Sequence, residues 1–195
     1  MSSTIFQNLE RNVTYVLSVL RNFPSTDASE PENQVKLRSC LALIHAEFEE
    51  YFETIAMACV ENYGHNKISH AQFRSCSYFM LCYSPRSFEG EADDTKKRIE
   101  QAILLYKRMI NKNHGILSKN ILKIILPLGY PIARIDQTWL NTIDSFGTFR
   151  GEMVHHSISK IKKLVSYNYF DRNVMEIILS GIKDVDNYLY KNYRL

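Results

Sequence analysis

An uninterrupted helical pattern of apolar residues, from Glu32 to about Tyr63, is the feature that most restricts how this chain can fold. Apolar side chains recur there every three to four residues, as on one face of an α-helix, and neither proline nor glycine interrupts them. The length of this helix suggests a central or interface position. Only seven glycines and five prolines occur among 195 residues, which disfavours a loop-rich β architecture and favours an all-α fold.

The same periodicity predicts further helices, which alternate with turn-forming stretches. They are expected at residues 4–22, 67–83, 92–110, 118–126, 136–155 and 171–193. Asp136 is the expected N-cap of the helix that ends near His155, and a mobile loop is expected at 84–94. Since 195 residues fit one domain on the usual scale of about 100 to 200, we predict a single-domain bundle, residues 1–195, of about six to seven helices.

Charge and cysteine usage exclude several classes of protein. The 24 basic and 21 acidic residues give a formal charge of +3, far from the excess of a protein that coats nucleic acid without specificity, so any RNA contact must be local. The four cysteines show neither a CxxC nor a paired-histidine spacing, and most are expected to be small buried residues. No metal site, cofactor or disulfide framework is therefore predicted.

The chain also lacks the patterns of secreted and membrane proteins. Its first residues have neither a basic start nor an apolar core typical of a signal peptide. The longest apolar run, residues 121–128, is interrupted by Lys123 and Pro127 and falls short of the about 20 residues that a membrane span needs. We therefore expect a cytoplasmic protein without membrane contact.

Arg150 and His155 are the strongest candidates for chemistry. The planar guanidinium of Arg150 suits a phosphate, and the imidazole of His155 can give or take a proton near neutral pH. Metal-independent cleavage of a phosphodiester needs such a pair. On a regular helix the two positions lie about 140° apart around the axis, so one helix alone cannot easily form the site. This separation predicts a homodimer in which a twofold axis brings two copies of the Arg150–His155 helix together.

Three segments together resemble one known family. Leu37 to Tyr51 lies on the long helix, Gly115 to Gly129 in the middle of the chain, and Arg150 to His155 forms an Arg-x4-His motif. This pattern is similar to the HEPN domain family (higher eukaryotes and prokaryotes nucleotide-binding), and especially to its predicted defence and toxin nucleases. The resemblance covers roughly residues 33–157. It implies an all-α, dimeric, metal-independent endoribonuclease of a prokaryotic toxin-antitoxin or anti-phage system, with an antitoxin or other system component as a possible partner protein.

The resemblance also implies roles for single residues. His155 would act as general base or acid, and Arg150 would hold the scissile phosphate. Glu47 occupies the place where the family usually has an acidic residue, and we expect it to reach this site, while Glu49 and Glu50 are expected on a solvated face. The family often has a polar residue after the arginine, where this chain has Gly151, and Glu152 is expected to take over that polar role.

Basic and aromatic residues follow the motif. His156 is a candidate second proton carrier or RNA contact, with a structural role as the alternative. Lys160, Lys162 and Lys163 belong to the densest positive run of the chain and are expected to contact the RNA backbone, with a solvated turn as the alternative. The three aromatic residues that come next could stack on bases or pack within the protein, and they are Tyr167, Tyr169 and Phe170.

Two functions from different classes remain open at this point. The Arg150–His155 pair favours the ribonuclease. Gly151 favours a catalytically inactive HEPN-like module that binds RNA, a nucleotide or a protein. A purely structural helical adaptor would leave the basic run of residues 160–163 unexplained.

Overall fold

The computed structural model describes residues 2–20, 30–63, 69–83, 95–155 and 165–195, with the backbone alone for Thr95, Val154 and His155. Every regular element in these residues is helical, which confirms the all-α prediction. The predicted loop at 84–94 and the basic run at 160–163 lie outside the described residues.

The helices follow one another in the order expected from the sequence. They are α1 (Thr4–Ser18), α2 (Pro31–Glu61), α3 (His70–Tyr78) with a π-helix (Phe79–Tyr83), α4 (Thr95–Ile110), α5 (Ser118–Ile125), a 3-10 turn (Ile132–Arg134), α6 (Gln137–His155), α7 (Tyr167–Tyr169), a second π-helix (Phe170–Ile178) and α8 (Leu179–Tyr193). The last three are continuous and are called the C-terminal helix below. When α3 is joined to its π-helix in the same way, the described residues form seven helices, within the predicted range.

Helix α2 is central, as its length suggested. It packs against α1, α4, α5, α6 and α8, because its buried side chains point in several directions rather than along one narrow stripe. Pro31 stands at its first turn, where the missing N–H of proline costs no hydrogen bond. The position of a residue around the axis of α2 therefore decides which neighbouring helix its side chain faces.

Side chains at the helix starts fix two further contacts of the fold. Asp136 accepts a hydrogen bond from the backbone N–H of Trp139 at 2.8 Å, which confirms the predicted N-cap of α6. Asp144 of α6 accepts from the backbone N–H and the hydroxyl of Ser118 at 2.6 and 2.7 Å. The first turn of α5 is thereby attached to α6.

A fully buried carboxylate, that of Asp186 in α8, connects three parts of the chain. It accepts from the backbone N–H and the hydroxyl of Ser3 at 2.7 and 2.5 Å, and from the Tyr51 hydroxyl of α2 at 3.2 Å. Ser3 in turn accepts from the backbone N–H of Phe6 at 3.0 Å. The start of α1 is therefore held to α2 and α8 through one side chain.

The C-terminal helix begins at Tyr167, earlier than the predicted start at Asp171. The reason is aromatic packing: Phe170 is fully buried, and the Tyr169 ring lies 5.6 Å from the Phe149 ring. Tyr169 and Phe170 therefore pack within the protein, and the alternative of base stacking does not hold for them.

Two of the four cysteines agree with the expected burial. Cys40 and Cys59 are buried, while Cys76 is half-buried and Cys82 is exposed. For Cys82 the expectation was wrong, since it belongs to the π-helix, whose only buried residue is Phe79. Among the described residues no helix is both long enough and apolar enough to cross a membrane.

Candidate functional site

Helix α6 is held in place by an aromatic ring at its middle. The Phe146 ring is fully buried and lies nearly parallel to the rings of His45 and Tyr169. The distance from the Phe146 ring centroid to the centroid of each of these rings is 6.4 Å, and each interplanar angle is 10°. Phe48 contacts the same ring at 5.7 Å. Phe146 thus sets the distance between α6, α2 and the C-terminal helix.

Helices α2 and α6 run antiparallel along this contact. Phe146 lies against His45 and Phe48. Further along α2, Glu49 accepts from the backbone N–H of Gly115, and Ser118, three residues after Gly115, binds Asp144, which precedes Phe146 in α6. The beginning of α6 therefore lies toward the end of α2, and the end of α6 toward the beginning of α2.

Arg150 lies one turn beyond Phe146 and is half-buried. Its Nε is buried and has no hydrogen-bond partner among the described residues. A buried donor without an acceptor costs free energy, so this nitrogen is available for an acceptor that binds from outside, such as a phosphate oxygen.

His45 is a buried titratable group that feels the charge of Arg150. The residue is 5% exposed, and its Nδ1 lies 3.8 Å from a carboxylate oxygen of Glu49. Burial lowers the pKa of His45, and the Arg150 cation lowers it further, while the Glu49 carboxylate acts in the opposite direction. The imidazole is accordingly neutral at neutral pH and can accept a proton or a hydrogen bond there.

The neutral state of His45 predicts a loss of stability in acid. An unfolded histidine takes up a proton near about pH 6.5, whereas folded His45 resists it until a lower pH. Between these two values the unfolded chain binds more protons, so the free energy of unfolding falls as the pH falls. Thermal unfolding of the wild type and of His45→Gln between about pH 7.5 and pH 5 measures this. The variant should lose less stability over the interval, and equal losses would contradict the assignment.

The structure departs from the expectation for Glu47. Its carboxylate accepts from the Asn12 side chain of α1 at 2.9 Å, and Glu47 stands about 200° around α2 from His45. The acidic residue that the structure brings next to His45 is Glu49. Residues four apart share a helix face, so Glu49 follows once the structure shows that His45 faces α6.

Glu49 also belongs to a group of possible metal ligands. One carboxylate oxygen accepts from the backbone N–H of Gly115 at 2.5 Å. Ligand atoms of Glu49, Glu53 and His114 all lie within 4.8 Å of one another, and burial together with the Glu49 and Glu50 charges raises the pKa of Glu53. These residues could hold a divalent cation, although the sequence predicted no metal.

The remaining predicted site residues lie at or beyond the end of α6. Glu152 is exposed, and a Cβ added at Gly151 would meet no atom within 4 Å. The backbone of His155 completes α6, but its side chain is not described. The residues predicted to contact RNA fall outside the described part of the chain: His156, Lys160, Lys162 and Lys163.

A cavity of about 410 Å³ occupies the opposite end of α6. It is lined by Tyr130, Arg134, Trp139 and Asp184, among others, and Arg134 and Asp184 form an ion pair there at 2.5 Å. This cavity lies at the N-terminal end of α6, far along the helix from Arg150. It is therefore separate from the region where α6 packs on α2 near Arg150 and His45.

Comparison with known proteins identifies one family. The model of a family described as RiboL-PSP-HEPN matches residues 7–191, nearly the whole chain. Comparisons with curated proteins and with solved structures give no match.

Proposed function

Because the chain belongs to the RiboL-PSP-HEPN family, a HEPN family whose domains are commonly ribonucleases, we propose that it is a metal-independent endoribonuclease. The observation that carries the proposal is the half-buried Arg150, whose Nε has no acceptor among the described residues. It stands five residues before His155 on the same helix. A cation that can bind the phosphate and a group that carries a proton are the two groups that phosphodiester cleavage requires.

The proposed reaction uses the 2′-hydroxyl of the substrate as the nucleophile. His155 takes the proton as the 2′-oxygen attacks the adjacent phosphorus, the bond from phosphorus to the 5′-oxygen breaks, and the leaving oxygen takes up a proton. Arg150 stabilises the negative charge that grows on the phosphoryl oxygens. The products are a 2′,3′-cyclic phosphate and a 5′-hydroxyl. Single-stranded or looped RNA is the proposed substrate, because its backbone can reach the in-line geometry.

Two neighbours are proposed to support this chemistry in place of Glu47. His45 and Glu49 form a pair on α2 at 3.8 Å, and the charge of Arg150 reaches His45. We therefore propose that the pair helps to position Arg150 from the side of α2. Glu152, exposed one turn before His155 and His156, is proposed to orient an imidazole. Lys160, Lys162 and Lys163 are proposed to contact the RNA backbone.

The proposal includes a homodimer through α6. Arg150 and His155 point about 140° apart on one helix, so a second copy related by a twofold axis would supply the missing direction. The open space at Gly151 and the exposed Glu152 support close approach along this face. The biological role that fits is that of a cytoplasmic toxin or effector of a prokaryotic toxin-antitoxin or anti-phage system, controlled by an antitoxin or another partner protein.

The second candidate is an inactive HEPN-like module that binds RNA, a nucleotide or a protein. Gly151, where the family often has a polar residue, favours it. Incubation of the purified protein with total RNA in chelator separates the two candidates. The ribonuclease predicts cut RNA with 2′,3′-cyclic phosphate ends and no cutting of a DNA strand of the same sequence. Bound but intact RNA would favour the inactive module.

A further inference from the structure

A second arginine, on α2, resembles Arg150 in its buried guanidinium nitrogens. Arg38 of α2 is half-buried, and its Nε and Nη1 are buried without a hydrogen-bond partner among the described residues. Arg150 Nε is in the same state. Few buried side-chain nitrogen or oxygen atoms of the described residues lack a hydrogen-bond partner, and most of those that do belong to these two arginines. Such donors cost stability unless an acceptor arrives from outside the fold.

The position of Arg38 along α2 places it beside the end of α6. It stands seven residues before His45, which is two helical turns, so both side chains lie on nearly the same face, about 10 Å apart along the axis. Gln34, one turn further on the same face, binds Val165. Because α2 and α6 are antiparallel, the level of Arg38 corresponds to the last turn of α6, where the backbone of His155 lies.

The acidic side chains on either side of Arg38 along α2 have other partners. Its nearest acidic neighbour in sequence, Glu32, is exposed and pairs with Lys36 at 3.0 Å, and Lys36 stands about 200° away around α2. Glu49, on the other side of His45, is bound to the Gly115 backbone. A guanidinium in this state fits the oxygens of a phosphate, which accept from two nitrogens at once.

We propose that Arg38 binds a backbone phosphate of the RNA next to the scissile phosphate held by Arg150. This inference rests on the proposed ribonuclease function, but it adds a binding residue from a different helix, one that neither the Arg-x4-His motif nor the basic run contains. In this proposal, guanidinium groups from α2 and from α6 hold consecutive stretches of one strand.

The test measures binding without cleavage. A 2′-O-methyl RNA oligonucleotide lacks the nucleophile, and its affinity is followed by fluorescence anisotropy over a range of salt concentrations. Arg38→Gln should weaken binding about tenfold to a hundredfold and reduce the salt slope by about one counterion. The control Lys36→Gln removes an exposed cation from another face of the same helix and should stay within about twofold of the wild type.

A purely structural role of Arg38 gives a different result. The melting temperature of Arg38→Gln should equal or exceed that of the wild type, because the substitution removes two buried nitrogens, Nε and Nη1, that have no acceptor among the described residues. A lower melting temperature with unchanged affinity and salt slope would overturn the inference. If Arg38→Gln does not fold, Arg38→Lys keeps the charge but not the planar fork, and wild-type affinity in that variant would overturn the inference as well.

The outcomes distinguish this inference from the proposed function. Binding that depends on Arg38, together with no cleavage of unmodified RNA by the wild type, would reject the ribonuclease and keep the phosphate contact. Cleavage by the wild type with unchanged binding in Arg38→Gln would keep the ribonuclease and reject the contact.

Discussion

Replacing Arg150 or His155 by alanine is expected to reduce the rate of RNA cleavage by about 10²- to 10⁴-fold. A positioned proton carrier contributes a factor of this size, and so does a donor aimed at the charge of the transition state. Neither side chain is one of the rings that pack on Phe146 and hold α6, so the fold should be retained. Single-turnover cleavage of a defined RNA, with circular dichroism as the check on folding, measures the effect.

Matched controls come from exposed residues elsewhere in the chain. His70 of α3 and Arg172 of the C-terminal helix are exposed, and their alanine variants should cleave as the wild type does. The double variant of Arg150 and His155 should lose little more than either single one, since groups that act on one transition state are not additive. Wild-type rates in folded Arg150→Ala would remove that residue from the mechanism.

Replacing Asp186 by alanine is expected to lower the free energy of unfolding by about 3 kcal/mol. The substitution leaves the N–H and hydroxyl of Ser3 and the hydroxyl of Tyr51 buried without their acceptor, and each unsatisfied buried donor costs about 1 to 3 kcal/mol. The expected loss is smaller than the sum of the three separate costs, because water and relaxation of the chain satisfy some of these donors. Urea unfolding followed by circular dichroism measures the loss.

The control for Asp186 is an acidic residue of the same C-terminal helix. Glu176 is exposed, and Glu176→Ala should change the free energy of unfolding by less than about 0.5 kcal/mol. A loss in Asp186→Ala no larger than in Glu176→Ala would show that the carboxylate does not hold α1, α2 and α8 together.

The helices could be predicted because their signals are local. Apolar periodicity located α2, and the short polar side chain of Asp136 marked the start of α6. The early start of the C-terminal helix escaped prediction because Tyr169 is ordered by Phe146 and Phe149, which lie on another helix.

The candidate site was predictable only in part, for a related reason. The Arg-x4-His motif identifies Arg150 and His155 within one helix. The choice between Glu47 and Glu49 depends on which face of α2 meets α6, and a helix buried on several sides does not reveal this in its sequence. The proposed roles of Arg38 and His45 depend on the antiparallel pairing of two helices that are distant in sequence.

Mixing subunits that carry different substitutions tests whether Arg150 and His155 of opposite subunits form one site. Arg150→Ala and His155→Ala chains, co-expressed with different tags and purified as the mixed dimer, would still bring one intact guanidinium and one intact imidazole together from opposite subunits. If the site is shared between subunits, this mixed dimer should cleave RNA clearly faster than either variant alone. A mixed dimer as inactive as its two parents would contradict a site shared between subunits.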